Sequence, residues 1–215
     1  MKEKNNFSIT LILIIINAII FAVFYIWSFF DENIFNFIAL QPALILHGQF
    51  LWTLVTHMFM HANIPHLFIN MLSLMFLGSF SERLIGKKRF LWFYLISGIF
   101  AAVTFILFAL IFHADMNTSA VGASGAIFAI GGLLAVLTPR MKVYILFIPI
   151  AMPLWFGITI SLALMWILSL AAGIPIGNTA HLGGFIAGLV YGFFLRIRYR
   201  KKIQRLDHYF RHMQR

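Results

Sequence analysis

Residues 121–137 read VGASGAIFAIGGLLAVL, an apolar run with no charged side chain and a single serine, Ser124, set among Gly122, Ala123, Gly125 and Ala126. A helix needs about 20 mostly apolar residues to cross the roughly 30 Å of a bilayer's hydrocarbon. Working outward, comparable runs recur at Phe7–Trp27, Ile64–Phe80, Phe90–Phe112, Leu154–Ala171 and Ala180–Ile197. The pattern predicts an all-α membrane protein, a bundle of six transmembrane helices.

Composition points the same way. Of 215 residues, 62% are hydrophobic and 10% charged, whereas a soluble domain carries about a quarter charged residues. One membrane domain, residues 1–215, is expected, with a short N-terminus 1–6 and a basic tail 198–215. The apolar run from Phe7 to Phe30 exceeds the roughly 7–15 residues of a signal-peptide core, so it reads as a retained first helix. Cysteine is absent, which excludes disulfides, a thiolate nucleophile and Cys-ligated metal.

The 16 Lys and Arg residues occupy four places: Lys2 and Lys4, Arg83 to Arg89, Arg140 and Lys142, and Arg196 to Arg215. The connections Ser28–Asn63, His113–Ala120 and Ala172–Thr179 contain none. With six spans every basic residue falls on one face, which the positive-inside rule makes cytoplasmic. Both termini are then cytoplasmic. The +10 net charge therefore suits anionic lipid headgroups or a stop-transfer tail, not nucleic acid.

Two connections stand out. Ser28–Asn63 is apolar in pieces too short to span, such as Ile34–Leu46 and Phe50–Met60, and carries Pro42. It reads as short helices in the outer membrane interface, a long loop of the functional kind. Tyr144–Pro153 is apolar but interrupted by Pro149 and Pro153, and is expected to extend span five or lie in the interface.

Polar groups within spans are costly and point to function. Counting from the basic residues, His66 precedes Arg83 by 17 positions, Ser124 precedes Arg140 by 16 and His181 precedes Arg196 by 15. At a rise of 1.5 Å per residue the three share a level roughly 22–26 Å above the cytoplasmic face. A serine is a weak nucleophile until a base takes its proton, and neutral imidazole is the matched base near pH 7. No Asp or Glu shares this depth, so the arrangement is a Ser124–His181 dyad. Oxyanion donors are also needed. The Asn70 amide, His66 on the same helical face, and the Ser124 backbone N–H at a helix start are the candidates. Gly184 and Gly188 make one face of span six small, and Gly122, Gly125 and Ala129 do the same for span four, allowing the close approach that joins His181 to Ser124.

Three motifs, His61-x-x-x-x-His66-x-x-x-Asn70, Gly122-Ala123-Ser124-Gly125 and Ala180-His181-x-x-Gly184-x-x-x-Gly188, together resemble the rhomboid intramembrane serine proteases in order, spacing and placement on spans two, four and six. The resemblance covers essentially the whole chain. It implies Ser124 as nucleophile, His181 as base, and His66, Asn70 and the Ser124 amide as the oxyanion hole. It implies a membrane-embedded first loop and a mobile span five, with Trp155 and Phe156 near its outer end. It further implies membrane-protein substrates cut where a transmembrane helix unwinds, and no metal or organic cofactor. Two departures are visible. Phe128 stands where some members carry Tyr, and Trp52-Thr53 where many carry Trp-Arg. A compact six-span chain of this kind fits a prokaryotic plasma membrane.

Other readings account for less. His57, His61 and His66 offer three zinc ligands, but no His-Glu-x-x-His motif supplies a base, and Ser124 and His181 would be left unexplained. His57 and His61 fit better as partners of loop backbone that must be satisfied in lipid, and Glu82 with Arg83 as stabilisers of a helix terminus. A non-proteolytic rhomboid-like protein that binds membrane clients would lack the Ser or the His. A transporter would carry ion-coordinating groups near the midplane.

Overall fold

The computed structural model describes residues 7–31, 34–145, 148–172 and 177–205. The N-terminal segment 1–6, residues 173–176 of the last connection and the tail beyond 205 lie outside the described residues. The chain is mostly helical. α1 is Ile9–Trp27, and the first connection holds α2 (Ile34–Ile38), α3 (Pro42–Leu46) and α4 (Thr53–Thr56). α5 (Ile64–Ser73) passes through a π-helical turn at Leu74–Gly78 into α6 (Ser79–Ile85). α7 is Lys87–Phe112, α8 Ser124–Leu137, α9 Leu154–Ala172 and α10 Asn178–Arg198.

Among the described residues, five helices are long and apolar enough to cross a membrane: Ile9–Trp27, the continuous Ile64–Ile85, Lys87–Phe112, Leu154–Ala172 and Asn178–Arg198. α8 is shorter, with 14 residues, or about 21 Å of helix. The apolar run of span four begins at Val121, but the helix starts at Ser124, because Gly122 at φ +121° cannot lie in a right-handed turn. Every residue of α8 from Gly125 to Leu137 is buried. A helix apolar on all sides belongs at the centre of a bundle, and α5, α7, α9 and α10 all pack on it.

One stretch departs from the expectation. Residues 142–145 and 148–153 do not lengthen span five. They fold as an antiparallel hairpin of β1 (Lys142–Ile145) and β2 (Ile148–Pro153), with Lys142 opposite Pro153 and Val143 opposite Met152. A helix through Pro149 and Pro153 would lose backbone donors and clash with the preceding turn, while the β-branched residues of both arms favour extended backbone.

α8 and α10 run parallel with their backbones in contact. A methyl group built on Gly184 would overlap the Gly125 carbonyl, and one on Gly188 the Ala129 carbonyl. On Gly192 it would lie 3.2 Å from the Leu133 carbonyl and 2.8 Å from Val136 Cβ. The offset between the two helices is the same at each step, so this is one register held over two turns. The far end of α8 is closed by polar contacts: Thr138 Oγ1 donates to the Leu134 carbonyl at 2.9 Å and Arg196 to the Val136 carbonyl at 2.8 Å.

α1 is tied on through Glu82. Its carboxylate accepts from the Ser8 hydroxyl (2.7 Å), the Ile9 N–H (2.9 Å), the Thr10 N–H (2.8 Å) and the Thr10 hydroxyl (2.7 Å). Glu82 therefore does stabilise a helix terminus, but that of α1 and not of its own helix. The carboxylate meets both the orphan donors and the positive end of the α1 dipole. Glu82→Ala leaves four donors without this acceptor and is expected to cost about 3 kcal/mol of stability, read as a lowered thermal transition in detergent. Glu82→Gln, which keeps the size and removes the charge, should fall in between.

Candidate active site

Ser124 is the first residue of α8, half-buried, and its Oγ lies 2.7 Å from Nε2 of His181. His181 sits in the first turn of α10, buried, with its N–H on the Gly177 carbonyl at 3.1 Å. The helix seam explains the contact. Gly184 on Gly125 leaves no side chain between the backbones, so just before this contact the Ser124 and His181 side chains meet directly. Phe128, one turn into α8, lies against the imidazole with ring centroids 4.8 Å apart and planes 31° apart. That fixes the ring plane without a hydrogen bond.

His66 approaches from α5. Asn63 caps this helix, its side-chain oxygen accepting the His66 N–H at 2.8 Å, and Pro65 in the first turn gives up no bond there. The Cε1–Nε2 edge of His66 faces Gly122. A methyl on Gly122 would stand 2.9 Å from Cε1, 3.0 Å from Nε2 and 3.6 Å from Ser124 Oγ. The His66 ring edge and the serine hydroxyl thus flank one point, which only glycine leaves open. Nδ1 of His66 receives the Ala62 N–H at 3.5 Å. That assigns the ring proton to Nε2, the edge facing the site.

Asn70 lies one turn further along α5 and is buried. Its amide nitrogen donates to the His66 carbonyl at 2.8 Å; a primary amide carries a second N–H. Ser124, His181 and His66 are brought together at one place. Asn70 stands behind His66 on the same helix, and its hydrogen bond goes to that residue, not to Ser124. At the start of α8 the first helical bond runs from the Ile127 N–H to the Ala123 carbonyl at 3.0 Å. The amides of Ser124, Gly125 and Ala126 stay outside the ladder, at the positive end of the helix.

The first connection braces this corner through backbone bonds that have no signature in the sequence. Leu40 and Ala120 exchange N–H···O bonds of 2.9 and 2.8 Å, and the Ala43 N–H reaches the Met116 carbonyl at 2.9 Å. The Gly122 N–H donates to the His57 carbonyl at 2.8 Å. Met58, fully buried, fills the notch at Gly98 of α7. His57 donates from Nδ1 to the Thr53 carbonyl at 2.7 Å, and Trp52 from Nε1 to the Phe37 carbonyl at 2.9 Å. Those two bonds pin the loop at Trp52-Thr53.

Burial pushes His57 down to about 4, against the pull of its bond to Thr53. Burial and then the neighbouring His66 push His61 to about 3. Both rings are neutral near pH 7. His61 lies edge-on to His66 with centroids 5.1 Å apart, and neither of its ring nitrogens meets a hydrogen-bond partner, so unlike His57 it does not hold loop backbone. Among the described residues no three His, Asp or Glu side chains converge as metal ligands would.

Several known proteins are similar to this chain. The rhomboid domain family matches residues 48–198. RHOMBOID-like protein 1 of Arabidopsis thaliana is 34% identical over 163 residues, 74% of this chain and 38% of that protein. Rhomboid protease GluP of Bacillus subtilis (strain 168) is 32% identical over 164 residues, 73% of this chain and 28% of GluP. Rhomboid protein 1, mitochondrial, of Saccharomyces cerevisiae is 26% identical over 174 residues, 77% of this chain and 49% of its own length. The chain spans less than half the length of these relatives.

The seam gives a direct test of the geometry. Gly184→Ala must push the Gly125 carbonyl away, separating α10 from α8 at the level of the dyad. A misplacement of about 1 Å is expected to slow reaction of Ser124 with a fluorophosphonate by about 100-fold, measured as the labelling rate. Ala187, on the same helix and already alanine, marks how well the helix itself tolerates that side chain.

Proposed function

The chain belongs to the rhomboid family of intramembrane serine proteases, and from that premise we propose that it is an active endopeptidase whose Ser124–His181 dyad cuts transmembrane segments of other membrane proteins near the outer membrane face. The observation that carries this reading is the 2.7 Å contact between Ser124 Oγ and His181 Nε2 at the start of a buried helix.

The chemistry follows from the geometry. Nε2 takes the hydroxyl proton as Oγ adds to the scissile carbonyl carbon. The negative charge that develops on the carbonyl oxygen meets the Ser124 N–H at the positive end of α8. His66 Nε2–H and the second N–H of the Asn70 amide supply the other donors. The imidazolium returns its proton to the leaving amine. Water, activated by the same Nε2, then releases the acyl group from Oγ. No metal or organic cofactor takes part.

Access follows from position. α8 is short for a span, so a serine at its first residue sits in a recess reached by water from the outer side, with both termini cytoplasmic. Six spans and a first loop embedded in the outer interface complete this arrangement, in the plasma membrane of a prokaryote. α9 buries only Leu154, Gly157 and Leu162. So loosely seated a helix, with Trp155 and Phe156 exposed at its start, suits the side through which a substrate helix enters. The rival, a non-proteolytic protein that binds membrane clients, has no use for a hydroxyl hydrogen-bonded to an imidazole.

Purified protein with a reporter transmembrane substrate decides between them. Ser124→Ala and His181→Ala are each expected to lower cleavage by at least about 1,000-fold while leaving thermal unfolding close to that of the parent. Covalent labelling by a fluorophosphonate should vanish in Ser124→Ala. Cleavage that survives in Ser124→Ala would sink the dyad.

A further inference from the structure

The first turn of α10 holds two buried polar atoms that make no hydrogen bond. One is Nδ1 of His181, the ring nitrogen not engaged with Ser124; the other is Oδ1 of Asn178. Each residue is 6% exposed. They are three positions apart on one helix, the spacing that puts side chains on the same face with Cβ atoms about 5–6 Å apart.

Their chemistry is complementary. Nε2 of His181 accepts from the serine hydroxyl, so the neutral ring carries its proton on Nδ1. Nδ1 is therefore a donor and Oδ1 an acceptor, and an unmet buried group of either kind costs about 1–3 kcal/mol. Asn178 does not serve as the helix cap: the N-cap of α10 is Gly177, and no side chain caps the helix. Phe128 covers one face of the imidazole, and its Nε2 is taken by Ser124. No Asp or Glu lies in α8, in α10 or in residues 172–179.

We propose that Asn178 is the positioning residue of the dyad: its side-chain carbonyl accepts the Nδ1–H of His181, holds the imidazole in the tautomer that leaves Nε2 free to take the serine proton, and makes the constellation Ser124–His181–Asn178. The inference rests on the protease reading of Ser124 and His181. A base oriented by a third group is the general logic of activated nucleophiles. A neutral amide orients the ring without placing a second charge in an apolar helix packing, where an unpaired carboxylate would be costly. Rotation of the Asn178 side chain forms the bond, and such bonds commonly tighten only when substrate fills the site.

The test compares the parent chain, Asn178→Ala and Asn178→Asp for the rate of fluorophosphonate labelling at Ser124, for kcat and KM on a reporter substrate, and for the 15N imidazole signals of His181, assigned by their loss in His181→Ala. Asn178→Ala is expected to slow labelling and lower kcat by about 10- to 100-fold, part of the full general-base contribution. KM should stay unchanged, and His181 should shift to a mixture of tautomers. Asn178→Asp, which keeps an acceptor oxygen, is expected to label faster than Asn178→Ala. Labelling of Asn178→Ala at the parent rate overturns the proposal, as does slowed labelling with unaltered His181 signals. Should Asn178→Ala fail to fold, dipolar coupling in the parent chain between His181 Nδ1 and Asn178 Cγ decides. A separation under about 4 Å, as a hydrogen bond to the amide oxygen requires, supports the role, and a longer one removes it. Failure of the parent chain itself to label overturns the protease reading, a result distinct from all of these.

Discussion

Backbone touching backbone between α8 and α10 is the contact on which the remaining geometry hangs. Inside a bilayer apolar surface gains little by leaving lipid, so helices associate through close van der Waals packing and polar contacts. Gly184 against Gly125 and Gly188 against Ala129 allow an approach no larger side chain permits. Because the helices are parallel, the register set by those glycines also sets where their first residues meet. Ser124 and His181 then need no loop to join them. A hydroxyl and an imidazole on rigid helices lose less precision than the same pair on a flexible segment.

Around that pair several polar groups are met by partners within the protein, as a membrane interior favours. Glu82 gathers four donors from α1, converting an open helix start into a closed joint. Thr138 and Arg196 close the opposite end of α8. His57, buried and neutral, donates to Thr53 and lends its carbonyl to Gly122. The histidines outside the dyad thus divide their roles. His57 braces backbone, and His66 presents an N–H edge beside the serine.

Much of this is readable from residue order. Apolar runs mark the helices, and polar residues within them stand out because lipid makes each one expensive. Distances of 15–17 residues from the basic ends put Ser124, His181 and His66 near one level, and the small residues of α8 and α10 announce the seam. Other features leave no trace. The hairpin at 142–153 depends on pairing between two arms whose apolar pattern equally suits a helix, with only the prolines against it. Glu82 can be assigned to a helix terminus but not to α1, because that joint links positions more than 70 residues apart. Asn178 reads as ordinary loop-end polarity. Its place beside His181 emerges only from the burial of both side chains with polar atoms unpartnered.

The brace between the first and third connections is built almost wholly from peptide groups: Leu40 with Ala120, Ala43 with Met116, His57 with Gly122. Every amino acid except proline brings the same donor and acceptor, so this brace is blind to which side chains it carries and strict about how many residues lie between its bonds. Substitutions can accumulate there while the scaffold holds. A single inserted residue would slide every pairing and carry the turn before Ser124 with it. In this brace, the count of residues matters more than their identity.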